Sequence, residues 1–254
     1  MGEYKPPFTI TNEILSYVSS ISEKIGRITA ISSLETKPHL RKNNRIKSIH
    51  SSLKIEANSL TFGQVRDVIN GKTVFGEQRE IQEVKNAYLA YAKIKETDPY
   101  SVSELKRIHG IMTAGIEEES GIFRSGSEGV FAGDRCIFIA PPPNMVPELI
   151  GELFSWMRDC KETVHPLIMA AVFHYEFVFI HPFADGNGRV ARLLMNLALL
   201  QSGYNIVVIP PIVRADYISA LQKTNNGNNT DFINFISEMV LESQKEYLKI
   251  ISRF

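Results

Sequence analysis

The stretch His181-Pro182-Phe183-Ala184-Asp185-Gly186-Asn187-Gly188-Arg189-Val190-Ala191-Arg192 separates two helical segments and decides how both are read. Pro182 disfavours helical geometry at His181, so a helix arriving from Pro166 ends there. Gly186 and Gly188 permit positive φ and let a ligand approach the backbone. Beyond them Val190, Leu193, Leu194 and Leu197 recur at i, i+3, i+4 and i+7. That is the buried face of a helix stopping near Gly203. Arg189, Arg192 and Asn196 fall on another face. A glycine-rich loop therefore opens a helix whose first turn carries two arginines.

Each part of this stretch has a chemical use. Free N–H groups at a helix N-terminus, its dipole and two guanidinium groups favour a polyphosphate. Asp185 stands at the mouth of the loop, and a single carboxylate with phosphate oxygens and waters is how Mg²⁺ is commonly held. His181, at the other end, has an ordinary pKa suited to general-base work near neutrality. Anion cradle, metal ligand and base are sufficient for nucleotidyl or phosphoryl transfer.

Around this loop the chain reads as helix. Ile14, Tyr17, Val18, Ile21, Ile25 and Ile28 keep helical spacing. The basic stretch from Lys37 to Lys47 reads as a solvated loop or helix face, and Ser48 to Ala57 as a short helix. Thr61 is expected to cap a helix stopped by Asn70-Gly71. Glu80 to Lys95 is periodic again, and Ser103 is placed as the cap of the next helix. From Gly121 to Pro143 glycines and prolines dominate. Val130-Phe131 and Cys136-Ile137-Phe138-Ile139 flank a Gly-Asp turn, which predicts a β-hairpin leaning on a helical body. Helices follow at Pro147–Cys160 and Pro166–Phe179, with a last one starting at Asp231.

Composition narrows the classes. The 254 residues are 44% hydrophobic and 22% charged, ordinary for a globular chain able to bury its own core. Lys plus Arg and Asp plus Glu both number 28. This balance argues against a chain built to coat nucleic acid or an anionic membrane. Cys136 and Cys160 have no metal-ligand spacing, so a reducing compartment is expected. With neither a signal-peptide pattern nor an apolar run long enough to span a bilayer, a soluble cytoplasmic protein is expected.

The twelve residues from His181 to Arg192 match the Fic family motif, HxFx(D/E)GNGRxxR, at every specified position. The resemblance extends over roughly Ile46 to Val240. It implies an all-α Fic core with one β-hairpin, and adenylylation (AMPylation) of Ser, Thr or Tyr hydroxyls on a protein with ATP and Mg²⁺. By that match His181 resembles the base and Asp185 the Mg²⁺ ligand. Gly186, Asn187 and Gly188 resemble the anion hole. Arg189 and Arg192 resemble phosphate clamps, with Arg192 on the terminal phosphate. Phe183 is expected to point into the core and support the loop. The hairpin residues Gly129, Val130, Phe131, Cys136, Ile137, Phe138 and Ile139 resemble the flap that holds the target segment. Arg214, Asp216 and Tyr217 resemble residues flanking the nucleotide. Tyr217 is open between stacking on adenine and packing in the core.

Upstream, Ser52-Leu53-Lys54-Ile55-Glu56-Ala57 resembles the family's inhibitory motif, (S/T)xxxE(G/N). Ser52 and Glu56 fit, while Ala57 stands where Gly or Asn is the pattern. The resemblance implies that Glu56 pairs with Arg192 and takes the place of the terminal phosphate. N-terminal helices over 1–110 are expected to pack on a core over 111–254 as one globular unit. Family members often pair as homodimers, and self-modification is open. The core leaves about one helix before Phe254, so no DNA-binding winged helix is expected. Two other readings stay open: a nucleotide-binding sensor without turnover, and a Fic enzyme that removes AMP or transfers phosphoryl groups.

Overall fold

A computed structural model describes residues 4–32, 38–132, 135–225 and 227–252, with side chains except at 32, 38–41, 130–132 and 135–137. Ten α-helices and one hairpin are present among them. Helix α1 (Asn12–Ser32) is amphipathic and buries Ile14, Ile21 and Ile28. Helix α2 (Pro38–Ile55) is a single helix of 18 residues. It continues the expected short helix back through the basic stretch, which from Pro38 is therefore a helix and not a loop, because Ile46, Ile49 and Leu53 supply a buried stripe to an otherwise polar segment. Lys37 lies outside the described residues.

Helix α3 (Phe62–Ile69) starts on Thr61 with a full capping box to Gln64 and stops at Asn70-Gly71. Helix α4 (Gln78–Lys93) passes into a 3₁₀ turn at Ile94–Glu96. Helix α5 (Val102–Thr113) is capped by Ser101, not by Ser103. The Ser101 hydroxyl accepts the Glu104 N–H, and Ser103 only hydrogen-bonds that hydroxyl. Strands β1 (Gly129–Ala132) and β2 (Arg135–Ile139) form the expected antiparallel hairpin. Phe131 opposes Cys136 while Val130 opposes Phe138, so Ile137 is the extra residue of a β-bulge. Gly133 and Asp134 of the turn lie outside the described residues.

Helices α6 (Val146–Cys160), α7 (Pro166–Ile180), α8 (Asn187–Gln201), α9 (Arg214–Thr224) and α10 (Thr230–Ile251) complete the chain. Helix α7 is apolar around its circumference and is therefore the central one. It packs on α6, α8 and α10, while α1 lies along α10 and α4 joins α2, α3 and α5. Phe154, Phe173, Phe177 and Phe183 are at most 1% exposed. Full burial of each contributes about 1.5–3 kcal/mol. The loop from His181 to Gly186 is thus strung between the two most deeply buried helices. No helix among the described residues is long and apolar enough to cross a membrane.

The end of α2 carries a local conflict. Ala57 adopts φ 69°, a left-handed conformation that costs an L-residue about 1–2 kcal/mol. The Asn58 N–H reaches the Leu53 carbonyl at 3.1 Å and the Ala57 N–H the Lys54 carbonyl at 3.1 Å. This is a Schellman ending, where glycine is the usual occupant. Ala57→Gly is expected to stabilise the chain by roughly 0.5–1 kcal/mol, after its unfolded-state entropy is deducted. Differential scanning calorimetry should show a melting temperature higher by about 1–4 °C.

Candidate active site

His181 ends α7 in the left-handed conformation, φ 52° and ψ 60°. A non-glycine residue there is strained, and the neighbouring backbone must hold it. Arg124 does so. Its guanidinium donates to the carbonyls of His181 (2.6 Å), Gly126 (2.7 Å) and Pro141, and its own N–H donates to the Pro182 carbonyl at 2.9 Å. One buried arginine therefore ties the His181 turn to the base of the hairpin. The His181 Nδ1 donates to the Val178 carbonyl at 3.4 Å, which leaves Nε2 as an acceptor. Burial holds the His181 pKa below the ordinary histidine value.

The loop itself is closed by side chains. Phe183 stacks on His109 with centroids 3.6 Å apart. The His109 Nδ1 accepts the Gly121 N–H at 2.9 Å, so Nε2 carries the proton and donates to the Asp185 carbonyl at 2.9 Å. Asn187 exchanges two hydrogen bonds with the Phe183 backbone, at 3.0 and 2.7 Å. Its side chain is committed to closing the loop, so any anion contact there is made by its N–H. Gly186 takes φ 81° and ends the turn. Gly188 is helical and does not use the positive φ that glycine permits. Its requirement is space, because a Cβ there would meet Glu56 and Arg192. As the first turn of α8, the Asn187, Gly188 and Arg189 N–H groups have no intrahelical acceptor.

The two arginines lie on a polar face that is buried, not exposed. Arg189 Nη2 is 2.8 Å from Asp185 Oδ2, and Nη1 is 3.4 Å from Glu83 Oε1. Its Nε and Nη1 are buried without a hydrogen-bond partner. Arg79 adds a second cation at Asp185 Oδ2, 3.2 Å away. Burial opposes ionisation of Asp185, but Arg189, the Gly186 N–H and Arg79 outweigh it and hold the pKa below the usual carboxylate value.

Arg192 faces the end of α2. Its Nη2 is 2.6 Å from Glu56 Oε1 and 3.0 Å from the Ser52 carbonyl, and its Nε donates to the Ser52 hydroxyl at 2.9 Å. Although burial opposes its charge, Glu56 and Tyr217 keep the Arg192 pKa above the ordinary value. Asn58 extends the connection, donating to Glu83 Oε2 at 2.8 Å.

Glu56, His181, Gly188, Arg214 and Tyr217 line one cleft of about 230 Å³, with Arg192 behind Glu56 and outside its wall. Phe138 of β2, Val178 and Phe179 form part of its apolar wall. Arg214 donates to the Ile55 carbonyl at 2.7 Å. Tyr217 is buried, its ring packed on Phe232 and Phe235. Asp216 belongs elsewhere, in a groove with Glu13 and Asp231. Of the hairpin, Ile139 is 72% exposed, and the side chains of Val130, Phe131, Cys136 and Ile137 lie outside the described residues.

Residues 99–199 match the model of the Fic/DOC family. A Fic family protein from Desulfovibrio desulfuricans G20 is 38% identical, covers 97% of this chain and 77% of its own, and superposes with a TM-score of 0.89. The chain belongs to the Fic family. Among curated relatives, protein adenylyltransferase fic-1 of Caenorhabditis elegans is 31% identical over 210 residues. That match spans 79% of this Fic chain and 40% of the relative. Protein adenylyltransferase Fic of Drosophila mojavensis is 30% identical over 244 residues, 91% of this chain and 47% of the relative. The Fic chain thus spans less than half the length of either relative.

Sequence reading passed over four residues of this Fic site: Arg79, Glu83, His109 and Arg124. The Gly121-Ile122-Phe123-Arg124 run carried one usable signal, an arginine directly after an aromatic residue and before a hairpin.

Proposed function

We propose that this Fic chain transfers AMP from ATP to a hydroxyl of a protein, and that Glu56 restrains the transfer. The observation carrying the proposal is the 2.6 Å Glu56–Arg192 pair, whose Glu56 side lines the cleft that His181 borders. The adenylyltransferase names of the two relatives support the same chemistry.

A hydroxyl entering beside His181 gives its proton to the neutral Nε2 as its oxygen attacks the α-phosphorus. The bond to the bridging oxygen breaks and pyrophosphate leaves. Negative charge gathering on the phosphate oxygens meets the N–H groups of Asn187, Gly188 and Arg189. Arg189, whose Nε has no hydrogen-bond partner and whose Nη1 lies 3.4 Å from Glu83, would turn to the phosphates as well, and Arg192 would take the terminal phosphate once Glu56 withdraws. Asp185 fits a hard divalent cation: its carboxylate is held ionised and is 41% exposed. No group of three or more ligating side chains is found among the described residues, so phosphate oxygens and waters would complete the coordination. Mg²⁺ bound there would neutralise charge on the phosphates. The hairpin would receive the target segment by strand addition at an open edge.

Incubation with α-labelled ATP should label protein, while γ-labelled ATP should not. Label from the γ position alone would replace this reading with phosphoryl transfer, and binding without any label would leave a sensor. A second outcome concerns pH. The base must be unprotonated, and burial lowers its pKa, so transfer should persist below pH 6.5. A rate profile whose acid limb has its midpoint above 6.5 would contradict the assignment of His181.

A further inference from the structure

We infer that Tyr217, fixed by His174, is the positioning residue that keeps Arg192 aimed at a terminal phosphate after the end of α2 has moved away. The inference rests on the reading of Arg192 as a phosphate clamp. Three of the Arg192 hydrogen bonds end on Ser52 and Glu56, all at the C-terminal end of α2. The fourth comes from the core, where Arg192 Nη1 donates to the Tyr217 hydroxyl at 3.4 Å. The same guanidinium stands 5.9 Å from the Tyr217 ring centroid. A withdrawal of the end of α2 that carries Ser52 away with Glu56 strips Arg192 of all its α2 partners. An arginine released in this way has many rotamers to lose again on binding. Tyr217 is the partner that stays.

The tyrosine is itself rigid. Its ring packs on Phe232 at 6.1 Å and Phe235 at 5.9 Å, and meets the His174 ring edge-on at 5.8 Å. Its hydroxyl lies 2.9 Å from His174 Nε2. That oxygen accepts from Arg192, and His174 Nε2 is the acceptor within reach of its proton; in this arrangement the His174 proton sits on Nδ1. His174 Nδ1 is buried without a partner, a cost this arrangement retains. Complete burial and the Arg192 charge both keep His174 neutral, as an acceptor must be. Direction thus passes from α7 through α9 to α8 by hydrogen bonds that do not involve α2.

The test uses Glu56→Gly protein, in which Arg192 has lost its carboxylate. Calorimetric affinities for ATP and for AMP, both with Mg²⁺, separate the terminal phosphate from the rest of the nucleotide. Arg192→Ala should erase most of the preference for ATP over AMP. Tyr217→Phe, which removes only the hydroxyl, should weaken ATP by roughly tenfold and AMP by less than about twofold. His174→Leu should do the same and His174→Gln should recover part of it, with all folds checked by thermal melting. If Arg192→Ala erases the preference and Tyr217→Phe leaves it intact, the inference is overturned and the clamp stands. Equal losses for ATP and AMP would also overturn it, since they mark a merely structural tyrosine. If Arg192→Ala leaves the preference intact, the clamp reading fails and this inference with it.

Discussion

His181→Ala is expected to lower AMP transfer by about 10²–10⁴, the usual cost of deleting a general base. The fold and nucleotide binding should survive the change. His181 contributes its side chain to the cleft wall, whereas its backbone is held by Arg124 through the His181 and Pro182 carbonyls. Alanine keeps those carbonyls, and at Ala57 this chain already places an alanine in the same left-handed region. Incorporation of α-label should collapse while ATP affinity and melting temperature stay near the wild-type values. An enzyme that transfers at the parent rate without this imidazole would end the proposed mechanism.

The parts of the site carried by consecutive residues were legible in the sequence. A proline after His181, glycines at 186 and 188 and a 3.6-residue apolar repeat specify a turn followed by a buried helix. The hairpin followed from glycine and proline punctuation. What escaped came from elsewhere in the chain. His109 reaches the loop across 76 residues and Arg124 reaches His181 across 57. Nothing local distinguishes His109 from a surface polar residue, and Arg124 is marked only by its place after an aromatic residue and before the hairpin. Their roles arise because the loop backbone, buried without secondary structure, needs donors and acceptors. The first half of α2 stays open between loop and helix face in the sequence for a related reason. Its polar face is longer than its apolar stripe, and its packing comes from α4 and α3. The same limit explains Asp216. One residue of helix turns the direction by about 100°, so the neighbour of a cleft residue faces another groove.

Relief of inhibition is the other large effect expected. Glu56 and a terminal phosphate compete for one guanidinium, and a buried arginine cannot satisfy both anions in one position. A charge-assisted contact of this kind is worth about 1.5–3 kcal/mol, or roughly 10–150-fold in an equilibrium. The Glu56 side chain is 42% exposed, so solvent screening places the pair at the low end. Glycine at 56 adds little conformational penalty, since α2 has its last residue at Ile55. Glu56→Gly should therefore raise self-modification by at least about tenfold at saturating ATP and Mg²⁺. Adding Arg192→Ala should cancel the gain, because the freed position then has no clamp to offer. Glu56→Gln separates charge from bulk: it keeps a hydrogen-bonding side chain over Gly188 but removes the anion, so its activation should be intermediate. Activity no higher than the parent's in Glu56→Gly would mean that the carboxylate does not stand in the way. Activation that persists after Arg192→Ala would mean that it obstructs by bulk alone, and the competition for the guanidinium would be refuted.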